Sequence, residues 1–185
     1  MGKADSLSLK SEILDIFEIA EINLLLSIKG LTRLEAEKSP DPSINSIHRI
    51  FTHCTKQLDK YVSKYTSKLN LPETSLDLIL ESGFSFGQSI NAYLSISNEF
   101  KNRLGETNEV DLGSPLNSGE KLVSIIKRVS LHFCGHMGQI SLIRKLLDNA
   151  VEGPYSFIKA MSKPTRTKLR KEWDTWWEDN KAQLI

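Results

Sequence analysis

Cysteine is scarce: the 185-residue chain carries two, Cys54 and Cys134, too few for a disulfide framework. Proline (6) and glycine (10) are too sparse for a linker or a collagen-like chain. Neither sign of charge dominates. Lys and Arg number 24 against 23 Asp and Glu, so no global field draws the chain to nucleic acid or an anionic membrane. No apolar run spans a bilayer, the best being the seven residues from Ile22 to Ile28. The start shows neither the basic nor the apolar region of a secretory signal, and the match of Gly2 and Ser6 to a myristoylation pattern is short and degenerate. These absences predict a cytoplasmic protein with no membrane or nucleic-acid partner. Hydrophobic residues make up 39%, enough for one folded domain across residues 1–185.

What is present is helical periodicity. Apolar positions at Leu9, Ile13, Ile16, Phe17, Ala20, Leu24, Ile28, Leu31 and Leu34 predict a first helix from Leu7 to Leu34, capped by Ser6 or Ser8. Pro40 and Pro42 end it. A second helix is expected over residues 43–69, facing inward through Ile47, Phe51, Cys54, Leu58, Tyr61 and Tyr65. A third covers 73–104 with a bend near Gly83, and residues 105–119 read as a loop. A fourth helix runs over 120–147, with Asn117 or Ser118 as its cap. A fifth follows Pro164. No strand-like alternation is present, so the expected class is all-α: a four-helix bundle over about residues 7–148, with a C-terminal loop and helix over 149–185.

The fourth helix carries the informative residues. Steps of three and four along it pick out Leu122, Ile125, Val129, His132, His136, Gln139, Ile143 and Leu146 as the inward seam. Leucine is the ordinary choice at the centre of such a seam, yet this one holds two histidines and a glutamine, which are costly to bury without partners. Histidines at i and i+4 project from one face and can ligate one metal ion. Gly135 and Gly138 flank them and would let a ligand or another backbone come close. A third ligand has to come from another helix. His48 and His53 lie about 140° apart on the second helix, so they do not serve one ion together; the geometry favours His53. Cys134 sits about 160° around from both fourth-helix histidines and is expected to face outward, and Cys54 reads as a buried packing residue.

Two blocks, Ser46-Ile47-His48-Arg49-Ile50-Phe51-Thr52-His53 and His132-Phe133-Cys134-Gly135-His136-Met137-Gly138-Gln139-Ile140, resemble the DinB-like family of metal-binding bundles, also called the DinB/YfiT superfamily. The resemblance implies an up-down-down-up bundle, often a homodimer, that binds zinc, nickel or a similar divalent ion through His53, His132 and His136. It further implies a thiol S-transferase acting on a small-molecule electrophile, with a low-molecular-weight thiol such as bacillithiol or mycothiol as cosubstrate. Metal-dependent hydrolysis and a non-catalytic metal-binding or interaction module are the alternatives. The chain departs from the family pattern in lacking a Trp before Ser46 and in its long tail with three Trp.

No catalytic residue beyond the metal ligands stands out. Gln139 would orient a ligand or hydrogen-bond across the core. Glu18 and Glu21 read as exposed carboxylates on the first helix rather than as an acid–base pair. The basic run Lys163, Arg166, Lys168, Arg170 and Lys171 is followed by Glu172, Asp174, Glu178 and Asp179, so its field is expected to cancel along the sequence. Leu169, Trp173, Trp176 and Trp177 form a broad apolar face that has to be covered, either by the chain's own bundle or by a second subunit.

Overall fold

The structure is a computed structural model that describes residues 8–63, 83–115, 119–148 and 162–185. The described residues form seven helices and no strand, with one isolated bridge between Pro115 and Lys121. None of the helices is long and apolar enough to cross a membrane.

Helix α1 (Leu9–Ile28) starts at Ser8, whose hydroxyl accepts the Ser11 N–H at 3.3 Å. It stops earlier than periodicity predicts. Gly30 takes a left-handed conformation (φ 81°), and Thr32 begins a separate helix, α2 (Arg33–Glu37). The restart is a capping box: the Glu35 carboxylate accepts from the Thr32 N–H at 2.7 Å, and Thr32 Oγ1 accepts the Glu35 N–H at 3.3 Å. Helix α3 (Ile47–Ser63) begins after Ser46, whose hydroxyl accepts the Arg49 N–H. Its predicted continuation to Leu69 lies outside the described residues, as does the first part of the predicted third helix.

Helix α4 (Phe86–Glu106) opens with a second capping box, Ser85 with Gln88. Gly83 (φ 82°) stands just ahead of this helix, and the bend expected there involves residues outside the described ones. The expected loop after Gly105 contains a short helix, α5 (Glu109–Gly113), started by Asn108 accepting the Asp111 N–H at 2.9 Å. Helix α6 (Leu122–Leu146) follows Lys121 without a side-chain cap, and the expected caps Asn117 and Ser118 lie outside the described residues. Helix α7 (Lys163–Leu184) is capped by Ser162 and carries Pro164 in its first turn, where a missing N–H costs nothing.

Packing of α1 on α6, and of α3 on α4 and α6, encloses an aromatic-centred core. Phe17 meets Phe100 edge-on with ring centroids 4.8 Å apart, and Tyr93 lies between Phe51 and Phe133 at 5.2 and 5.7 Å. Helix α7 lies on α1 and α4. Its Trp173 is fully buried and stacks on Trp177, and the indole N–H donates to the Leu25 carbonyl at 2.9 Å. Trp173 and Trp177 are therefore covered by their own chain, and Leu169 and Trp176 pack half-buried beside them.

Candidate metal centre

α3 and α6 bring three imidazoles together. His53 Nε2 lies 3.1 Å from His132 Nε2, and His136 Nε2 lies 3.0 Å from the same atom. One ligand atom from each of the three falls within 4.8 Å of the others, and each side chain is half-buried. Nitrogen ligands 2.0–2.1 Å from a tetrahedral ion stand about 3.3 Å apart. The spacing, with imidazole nitrogens as donors, is therefore within the range that one bound divalent transition-metal ion requires.

The second nitrogen of His136 is also accounted for. Its Nδ1 lies 2.7 Å from Oε1 of Gln139. A carbonyl oxygen can only accept, so Nδ1 donates to it, and in the neutral ring Nε2 is left with its lone pair facing the cluster. Burial holds His132 down to about 4, with the charges of His136 and His53 adding to the effect. His53 is lowered by burial and by His136. Both rings are thus biased toward the neutral form, the one that ligates.

The histidines do not sit at the centre of the inward seam, as the spacing alone predicts. Leu122, Ile125, Val129 and Ile143 are buried as expected, but between them the helix buries Ile126, Phe133, Met137, Ile140 and Arg144, while Gln139 and Leu146 are exposed. Phe133, seated against Phe17 and Tyr93, takes the central place. One residue is about 100° of rotation, which moves His132 and His136 to the edge of the core beside α3. The site consequently lies half open instead of being sealed inside the bundle. Cys134, expected to face outward, is half-buried against the core, and burial raises its thiol pKa. Cys54 is fully buried and also raised by burial; neither thiol belongs to the cluster.

His48 stands apart from the cluster. It is buried against Phe86 (5.8 Å between centroids) with Nδ1 3.9 Å from the Glu37 carboxylate, and burial lowers its pKa. Gly135 and Gly138 are exposed, and a Cβ built on either meets nothing within 4 Å. The described chain leaves that face of α6 open.

Two buried charges escape a reading by sequence. Arg144 is 1% exposed and donates to the carbonyls of Ser27 (2.7 Å) and Lys29 (3.0 Å), which closes the C-terminal end of α1. Arg144 and Lys145 stand together in the last turn of α6, so nothing in the sequence singles out the one that is buried. Glu21, expected to be exposed, is 3% exposed because Lys101, Arg170 and Ser97 all reach its carboxylate. Glu18 is part-buried, 3.5 Å from Arg166. Neither glutamate is part of the histidine cluster. No family model, curated protein or solved structure matches this chain.

Proposed function

We propose that this chain is a divalent-metal-binding protein of the DinB-like kind, with α1, α3, α4 and α6 as an up-down-down-up bundle. In this reading it is a cytoplasmic homodimer that catalyses metal-dependent transfer of a small thiol onto a small electrophile. The observation that carries the reading is the convergence of the His53, His132 and His136 nitrogens at one point. A divalent ion held by three imidazoles keeps coordination positions open and, when bound, supplies the Lewis acidity that favours the ionised form of a thiol at neutral pH.

The protein's own part is positioning. His53 comes from α3 and the other two ligands from α6, so packing of these helices sets the ligand geometry. Gln139 holds the His136 ring and its tautomer. The transferase chemistry itself rests on the resemblance of the two histidine blocks.

Metal analysis and turnover test the two levels separately. The purified chain should hold about one divalent ion, and His53→Ala, His132→Ala and His136→Ala should each lose most of it. His48→Ala should keep the stoichiometry. With bacillithiol, mycothiol, glutathione or cysteine as donor, 1-chloro-2,4-dinitrobenzene should be consumed at a rate that needs the metal. Metal without turnover would identify a binding module, and equal metal loss in His48→Ala would overturn the ligand set.

A further inference from the structure

A second concave site lies away from the histidines, where α7 meets α1 and α4. It is a cavity of about 380 Å³, within the range that ordinary ligand pockets occupy. Along the sequence the basic run of α7 is balanced by the acids that follow it. The helix sorts the two sets. Lys163, Arg166, Arg170 and Lys171 fall at i, i+3, i+7 and i+8, and all four line the cavity. Of the four acids after them only Asp174 reaches it. Glu172 pairs instead with Lys168 on the outside, and Glu178 pairs with Lys181.

Each carboxylate that lines the cavity is already engaged. Glu21 is held by Lys101 at 2.8 Å and by Arg170 at 3.4 Å, Asp174 by Arg170 Nε at 2.8 Å, and Glu18 by Arg166 at 3.5 Å. Arg166, 4% exposed, is also fixed by Asp15. Lys163 and Lys171 form no ion pair among the described residues, and both line the same cavity. The result is a floor of fixed, paired charges with two ammonium groups that have no ion pair among the described residues, one of them in the first turn of a 22-residue helix, where the backbone dipole also favours anions.

We propose that this cavity binds a compact dianion, a phosphomonoester or a small dicarboxylate, through Lys163 and Lys171 above the rigid Arg166. The site shares no residue with the histidine cluster, so it stands or falls independently of the metal. The test uses the metal-depleted full chain, so that coordination to an ion cannot contribute, and holds ionic strength constant with KCl. Inorganic phosphate and malonate are titrated separately by calorimetry. Saturable binding of either at one site is expected, weakened about tenfold or more in the Lys163→Ala/Lys171→Ala variant. The Lys163→Arg/Lys171→Arg variant should retain it, which separates loss of charge from loss of fold. Binding of one anion but not the other would identify the class. No saturable binding beyond the chloride control, or equal binding in the alanine variant, would overturn the proposal.

Discussion

The side-chain carbonyl of the exposed Gln139 lies 2.7 Å from Nδ1 of the half-buried His136, three residues earlier on α6. This contact places the imidazole proton away from the point where the three Nε2 atoms meet. Gln139→Ala should lower divalent-metal affinity about 10–100-fold while leaving the stoichiometry at saturation unchanged, because the three nitrogens remain. Competition against a chromogenic chelator measures this. Unchanged affinity would show that the glutamine does not orient the ring.

The metal-free protein should lose stability on mild acidification. His132 titrates at about 4 in the fold and near 6.5 in the unfolded chain, so between those values the unfolded state binds more protons. The contribution is present above about pH 6.5 and is lost as pH falls toward 4; the lowered His53 and His48 act in the same direction. Urea unfolding at pH 7 and pH 5 should show a larger loss for the native chain than for His132→Asn. Equal losses would mean that the ring environment is not the cause.

Helix α7 should contribute stability and not assembly. Trp173 is fully buried with its N–H bonded to Leu25, so Trp173→Ala should cost about 3–5 kcal/mol. Truncation after Lys163 should lower stability at every protein concentration. A truncated chain that is equally stable but no longer associates would place the tryptophans at an interface between copies.

Gly87 has a steric reason to be glycine. A Cβ built there lies 2.6 Å from Leu184 C and Ile185 N and 2.7 Å from Leu184 O. These are backbone atoms and cannot swing aside. Gly87→Ala should therefore destabilise by about 1–3 kcal/mol. In a chain ending at Gln183 the same substitution should have a much smaller effect. A thermodynamic cycle of the two changes reads the coupling, and additive effects would show that α7 does not end against α4.

Much of this arrangement was legible one segment at a time. The three-and-four spacing marks α1, α3, α6 and α7, and the i, i+4 relation places His132 and His136 on one edge whatever surrounds them. The break at Gly30 was legible too, since Thr32 and Glu35 have capping-box spacing, although unbroken apolar periodicity argued for one helix. What the spacing leaves open is which edge of a mostly apolar helix faces the core. On α6 two seams one residue apart are both plausible, and the choice falls to Phe133 because Phe17 and Tyr93 form a pocket for it. That choice turns the histidines to the margin and into reach of His53, 79 residues away. Glu21 follows the same rule: its burial depends on Lys101 and Arg170, which no window around α1 contains. A side chain's direction about its own helix is set locally by 3.6 residues per turn. Whether that direction ends in water, in packed carbon or beside a charge depends on which distant helix is packed there, because burial and charge pairing are made between segments and not within them.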